Sequence, residues 1–481
     1  MPLGTRIGNI GPRLALFPAV ASGVILSRRA FLLAAGCTAV AKFPKLLPLA
    51  RQTGSPRPSP AQLLWQRDEL ALFLHFGINT FTNREWGDGT EDPSIFNPAA
   101  LDANQWATTA RNAGFRTLVL TAKHHDGFCL WPTATTRHSI ASSPWRDGNG
   151  DVVRELVDAC RKHGLHVGLY CSPWDRNHPA YGDSQRYNEV FRQQLTELLT
   201  GYGAIHQVWF DGANGEGPNG KRQIYDWPRT FEHVRSLQPN AVIFSDAGPD
   251  IRWVGNERGV AGETNWSMIR STSVPFPGVS GDGIIEALQN GHADGDVWRP
   301  GETDVSIRPG WFHHPAEDAS VKSVDDLVTI YFSSVGRNSK LLLNVPPTRE
   351  GLLHSVDTER LLGMRYALDA MFHADSAAQL SDVTFRAVGT RQALAEARIA
   401  SPSEISIIEL REHIEQGQRV ARWSCEFDNG DGWREVAAGT TIGYKALRRI
   451  TPMTAKRVRV RILDSIDEVR PVDFRLFSST S

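Results

Sequence analysis

The residues with chemical potential in this chain recur in one position: directly after short apolar runs. His75 follows Leu72-Phe73-Leu74, and Lys123-His124-His125-Asp126-Gly127 follows Thr117-Leu118-Val119-Leu120. Tyr170-Cys171-Ser172-Pro173-Trp174-Asp175 closes a third run, and Asp211-Gly212 comes straight after Val208-Trp209-Phe210. His, Tyr and Asp give and accept protons and hydrogen bonds, and Trp offers a flat apolar face with one N–H. Each has a structural alternative, since an Asp at a strand end often caps the next helix and a lone His is often a satisfied core residue. Four successive runs ending in this way favour one polar pocket lined by aromatic rings. The distribution agrees: 12 of the 14 Trp lie between Trp65 and Trp311, and 14 of the 15 His between His75 and His373.

The elements that must position these residues follow a rhythm. Apolar runs alternate with amphipathic helical stretches at Asp102 to Ala113, Val152 to His163, Ser184 to Leu199 and Asp226 to Leu237, with Ala241-Val242-Ile243-Phe244 as a fifth run. Continuously apolar strands joined by helices require a parallel sheet covered on its outer face. Over residues 61–375 this predicts an α/β fold of the (β/α)8-barrel type, with Lys340-Leu341-Leu342-Leu343-Asn344 as the closing strand after a helix at Val324 to Ser334. Function in such a barrel sits at the carboxyl ends of the strands, where the polar residues stand. From residue 376 to 481 the pattern changes to short strand-like segments, Val383 to Arg386, Ile405 to Ile408, Val420 to Trp423 and the alternating Arg457 to Ile462. Turns at Asn429-Gly430 and Asp431-Gly432 separate them, predicting an antiparallel β-sandwich.

With 481 residues, 41% hydrophobic and 22% charged, the chain is expected to be globular in two or three units. Its 52 basic and 53 acidic side chains exclude a nucleic-acid binder driven by bulk positive charge. Residues 1–60 carry eight Lys or Arg and no acid. Within them, Ser27-Arg28-Arg29-Ala30-Phe31-Leu32-Leu33 runs into an apolar stretch ending at Ala39-Val40-Ala41, resembling a twin-arginine export signal. Residues 1–41 are thus expected to engage the export machinery, 42–60 to form a linker, and the mature protein to be periplasmic or extracellular. Cys37 lacks the preferred Leu three residues earlier, so lipoprotein anchoring is not expected. Cys129, Cys160, Cys171 and Cys425 show no metal-binding spacing and are expected as free thiols. No metal is expected at His124-His125, because H-x-H and H-E-x-x-H pairs are absent, and no cofactor is expected elsewhere. Gly215-Glu216-Gly217-Pro218-Asn219-Gly220-Lys221 imitates a P-loop, but Arg222 replaces the Mg²⁺-holding hydroxyl, and Asp211 and Glu216 would repel phosphate.

The ordered set Leu74-His75-Phe76-Gly77, Glu85-Trp86-Gly87-Asp88-Gly89, Lys123 to Phe128, Gly168-Leu169-Tyr170 and Val208 to Gly212 resembles the family 29 glycoside hydrolases, the α-L-fucosidases. The likeness continues through Trp253 to Glu257 and Arg308 to Phe312 to Leu343 to Pro347. It implies a retaining mechanism, with Asp211 as nucleophile and Glu257 as acid/base; Glu263 is a rival for the second role, with Glu302 behind it. It also implies that His75, Trp86, His124, His125, Tyr170, Trp209 and Trp311 contact or shape the sugar site. The implied partner is a fucosylated oligosaccharide or glycoconjugate. The segments around Glu257 and Gly262-Glu263-Thr264-Asn265-Trp266 resemble the branch acting on α-1,3- and α-1,4-linked fucose. The competing class is a non-catalytic glycan-binding protein using the tail, whose Trp423, Phe427 and Trp433 loosely resemble a discoidin-like module; intact Asp211 and Glu257 favour the enzyme.

Overall fold

The structure is a computed structural model that describes residues 55–373 and 377–478. The export-signal reading falls on residues outside these. Among the described residues ten strands precede residue 345: β1 (Leu70–Leu74), β2 (Thr117–Lys123), β3 (His166–Cys171), β4 (Gln207–Trp209), β5 (Val242–Phe244), β6 (Arg252–Trp253), β7 (Met268–Ile269), β8 (Val297–Trp298), β9 (Gly301–Ser306) and β10 (Ser339–Asn344). Eight form a parallel sheet in the order β5-β4-β3-β2-β1-β10-β9-β6, and a parallel bridge between Phe244 and Ile251 joins its edges into a barrel. β7 and β8 pair as a small antiparallel ribbon inserted before β9.

The helices are α1 (Pro60–Arg67), α2 (Ile78–Thr82), α3 (Ala103–Asn112), α4 (Val152–His163), α5 (Ser184–Gly201), α6 (Trp227–Leu237), α7 (Asp282–Asn290), α8 (Val324–Ser333) and α9 (Ser355–Phe372). Asp102, Asp151, Asp183 and Asp226 begin α3 to α6 by accepting backbone N–H groups of the first turn, a device worth about 1 kcal/mol each. Alternation along each strand then separates two cores. Leu72, Leu118, Leu120, Leu169, Val208 and Leu343 face the helices, while Phe73, Val119, Tyr170, Trp209, Phe244 and Leu342 fill the barrel. α1 closes the bottom, where Trp65 Nε1 donates to Gln207 Oε1 at 3.1 Å and Gln62 Nε2 donates to the carbonyls of Asp250 and Trp298.

The α/β barrel expected from the sequence is present, and β10 is the strand chosen to close it. Two barrel strands escape the apolar-run criterion. β6 has only two residues, and β9 reads Gly-Glu-Thr-Asp-Val-Ser because its inward residues Glu302, Asp304 and Ser306 meet polar partners inside the barrel.

The C-terminal domain comprises β11 (Leu380–Gly389), β12 (Gln392–Glu412), β13 (Val420–Asp428), β14 (Trp433–Gly439), β15 (Ala446–Ser465) and β16 (Val472–Phe477). These form one antiparallel sheet, β11-β12-β15-β13-β14, with β16 beside β12. Register shifts between β12 and β15 let the two long strands bend, so the sheet curls around Ile405, Leu410, Trp423, Cys425, Val460 and Leu476. The short segments seen in the sequence are parts of these longer strands. Trp423 and Phe427 are core residues, and Trp433 packs against the guanidinium groups of Arg457 and Arg459.

The domain is bonded tightly to the barrel. Glu69 receives Lys445 at 2.5 Å, Tyr331 Oη at 2.8 Å and Tyr444 Oη at 2.9 Å. Asn265 and Ser267 exchange hydrogen bonds with Thr441 and Gln418, and Asn338 Oδ1 accepts the Tyr444 N–H. Cys129, Cys160, Cys171 and Cys425 are buried free thiols, as expected, and burial pushes Cys171 up to about 11 and Cys160 up to about 12, leaving them unreactive at neutral pH.

Candidate active site

Asp211 continues the inward-facing series of β4. Gln207 and Trp209 point into the barrel, and Asp211 emerges at its carboxyl end. Donors hold both oxygens of its carboxylate: the Ala213 N–H reaches Oδ1 at 2.8 Å, and Tyr170 Oη reaches Oδ2 at 3.2 Å. His125 Nε2 lies 3.8 Å from the same Oδ2. The carboxylate plane is thereby fixed at the mouth of the barrel. Gly212 allows this, because a Cβ there would collide with the Asp246 carboxylate and with Gly278.

The two-histidine motif splits its labour through a register shift. β2 slips against β3 between Thr121 and Lys123. Lys123 therefore turns outward, where Asp175 Oδ2 at 3.2 Å, Tyr187 Oη at 3.0 Å and Gln194 Oε1 at 2.8 Å surround its ammonium. Burial opposes its charge, but Asp175 more than compensates and raises its pKa. The pair locks the β2 loop to the β3 loop, and His124 and His125 follow at the carboxyl end. Their rings lie 4.2 Å apart, and His124 stacks on Tyr170 at 5.9 Å. Asp126 sits behind them, 3.8 Å from His124 Nδ1 and bonded to Asn79 Nδ2 and the Phe128 N–H; burial pushes its carboxyl up to about 7.

Hydrogen bonds orient two of the imidazoles alike. Asn344 Nδ2 donates to Ser306 Oγ and to the Trp311 carbonyl, so its Oδ1 accepts from His75 Nδ1 at 2.7 Å. Ser172 Oγ donates to the Trp174 carbonyl, so it accepts from His125 Nδ1, also at 2.7 Å. In its neutral form each ring therefore carries its acceptor on Nε2, the atom needed to take a hydrogen bond from a hydroxyl. Aromatic surface completes the ring of residues. Trp311 lies 5.1 Å from His75, and Trp86 lies 6.4 Å from both His125 and Trp174. Trp209 is one layer deeper, stacked between Tyr170 and Phe244 with its N–H on Glu302 Oε1 at 2.8 Å.

The three candidate glutamates occupy different environments. Glu257 is half-buried on a tight loop after β6, where Asn256 Nδ2 donates to the Val260 carbonyl and Gly255 takes a positive φ of 84°. β6 adjoins β5, and β5 adjoins β4, so Glu257 and Asp211 stand at the same barrel end two strands apart. Glu263 is turned to the C-terminal domain, paired with Arg337 and with Arg448. Glu302 is fully buried low in the barrel under Gln207 and Trp209. The P-loop mimic is a hairpin turn closed by Gly217 N–H to the Lys221 carbonyl, and it opens no helix.

Sequence reasoning missed a clamp beside Trp86. Glu85 accepts the N–H groups of Trp311 at 2.9 Å and Phe312 at 3.0 Å, together with His314 Nε2 at 2.7 Å. It thus ties the Trp86 loop to the Trp311 loop. The available signal was a Glu next to a pocket Trp. The hydrogen bond and charge of Glu85 raise the His314 pKa. A raised histidine pKa adds stability that is full below the ordinary value of about 6.5 and fades as pH rises through the higher folded value. Wild type should therefore lose about 1 °C of Tm across that window relative to His314→Gln, the scale of one partly buried pair. Parallel pH dependence of Tm in both proteins would refute the clamp's contribution.

Comparison with known proteins agrees with this geometry. The profile of the family described as alpha-L-fucosidase matches residues 77–370. Alpha-L-fucosidase 1 of Arabidopsis thaliana is 43% identical over 438 residues, covering 85% of each chain. A glycoside hydrolase 29 family member from a rumen bacterium superposes with a TM-score of 0.80 at 38% identity, over 89% of this chain and 78% of that one. A GH29 fucosidase of Ruminococcus gnavus in complex with fucose gives 0.78 at 29% identity, over 91% and 97%. The chain belongs to the α-L-fucosidases of glycoside hydrolase family 29, a retaining family.

Proposed function

We propose that this α-L-fucosidase is an exo-acting enzyme for α-1,3- and α-1,4-linked terminal fucose, with Asp211 as nucleophile and Glu257 as acid/base. One observation carries the assignment: Asp211 stands at the end of β4 with both oxygens oriented, inside the ring of His75, His124, His125, Tyr170, Trp86 and Trp311. The imidazoles suit sugar hydroxyls, and the indoles suit the ring face and 6-methyl group of fucose. Protonated Glu257 gives its proton to the glycosidic oxygen as an Asp211 oxygen bonds to the anomeric carbon and the aglycone departs. Esterification removes the Asp211 charge, which lowers the proton affinity of Glu257. It then takes a proton from water, whose oxygen attacks the anomeric carbon and releases Asp211.

The linkage reading rests on the long connection between β6 and β9. Gly278 donates to Asp246 Oδ2 at 2.9 Å and packs on Gly212, bringing the 271–281 loop beside the residue that follows the nucleophile. Phe276 on that loop is 40% exposed. Such a wall can grip a neighbouring sugar, and contacts of this kind raise kcat only where they tighten in the transition state. A Lewis-type trisaccharide should therefore show higher kcat/KM than its galactose-free disaccharide or an aryl fucoside. Better turnover of α-1,2-fucosyl-galactose or of the aryl fucoside would overturn the linkage preference.

A further inference from the structure

We propose that the opposite, amino-terminal face of the barrel carries a divalent-cation site of the zinc type, formed by Asp68, His166 and His206. Three elements converge there. Asp68 ends α1, His166 opens β3, and His206 immediately precedes β4, with its N–H on the Val167 carbonyl at 2.8 Å. His166 Nδ1 lies 3.0 Å and His206 Nε2 lies 3.4 Å from the same atom, Asp68 Oδ2, and the three ligand atoms all fall within 4.8 Å of one another. Zinc bonds of about 2.0–2.2 Å to N and O in a tetrahedron place ligand atoms about 3.4 Å apart; both histidine–carboxylate distances are near that value, and the stacked rings must turn so that their planes meet at the ion.

The second observation is the state of His206. Its side chain is only 10% exposed, and Nε2 makes no well-aligned hydrogen bond although it is aimed at Asp68. His166, 38% exposed and stacked on His206 at 4.3 Å, leaves an approach from solvent and room for a water as fourth ligand. On binding, Nδ1 of His166 becomes the ligand and its proton passes by way of water to Nε2.

Two other groups face the cluster. Thr117 Oγ1 donates to Asp68 Oδ2 at 2.8 Å, and the Lys340 ammonium lies 3.5 Å from that oxygen. Lys340 opposes a cation, but it retains a second carboxylate in Glu302 and lies over the Trp65 ring at 5.0 Å. The site is remote from Asp211, at the other end of the strands, so the bound ion would brace α1 under the barrel and take no part in hydrolysis.

The test uses the full chain, freed of any affinity tag and dialysed against chelator. Calorimetric titration with zinc should give one ion per chain with micromolar Kd, and zinc at 100 times Kd should raise Tm by about 3 °C, reversibly with EDTA. His206→Asn and His166→Gln should each weaken binding about tenfold or more, with kcat/KM on an aryl fucoside unchanged. His166→Gln alters a partly exposed ring and serves if the buried variant does not fold. Absence of zinc binding tighter than about 100 μM in wild type, or undiminished stoichiometric binding in these variants, overturns the proposal.

Discussion

Asp211→Ala is expected to lower kcat/KM on an aryl α-L-fucoside on the order of 10⁴-fold while Tm changes little. The loss is large because the covalent route needs an oxygen nucleophile held against the anomeric carbon, and Ala213 and Tyr170 hold no other atom there. The fold should survive, since Asp211 lies at a strand end and no strand hydrogen bond of β4 depends on its side chain. Azide, small enough to fill the vacated space, should restore turnover and yield the β-fucosyl azide, the anomer formed by a single displacement. Turnover within tenfold of wild type would transfer the nucleophile's role elsewhere.

Glu257→Ala should divide substrates by their leaving groups. Release of a sugar alkoxide needs a proton, so oligosaccharide hydrolysis should fall about 10²- to 10⁴-fold. A nitrophenolate leaves without one, so the first step on an aryl fucoside should be nearly unaffected, and azide should relieve the slow second step. Burst kinetics with the aryl substrate would register the accumulated intermediate. Glu263→Ala is the control: its carboxylate is engaged by Arg337 and Arg448, and it should affect stability before chemistry. Equal losses on both substrates in Glu257→Ala, with the contrast displayed by Glu263→Ala, would exchange their roles.

The barrel was legible because its outward residues are apolar and its helices begin at Asp caps, so β1 to β5 and α3 to α6 lie where the period and the caps predict. The site was legible for the same reason, as polar residues at strand ends interrupt apolar runs. What escaped notice is polar and inward. β9 carries Glu302, Asp304 and Ser306 into the barrel and resembles a loop in sequence, although Trp209, Trp253 and Asn344 satisfy these groups. Glu85 and His314 belong to segments 229 residues apart, and no local spacing foretells their contact. The long strands β12 and β15 were seen only in fragments because Ser401-Pro402-Ser403-Glu404 breaks the alternation at the bend.

The bonds between Glu69 and the Lys445, Tyr444 and Tyr331 side chains bear on how separable the two domains are. Lys445 and Tyr444 belong to the C-terminal domain; Glu69 stands at the first turn into the barrel. Recombination that exchanged the C-terminal domain for an unrelated one would strand Glu69 without its counter-ion, at a cost of roughly 3–5 kcal/mol. Asn265, Ser267 and Asn338 would lose partners in the same event. A replacement tail would therefore have to offer a cation and donors matching Glu69, Asn265, Ser267 and Asn338 before this barrel could carry it without loss of stability.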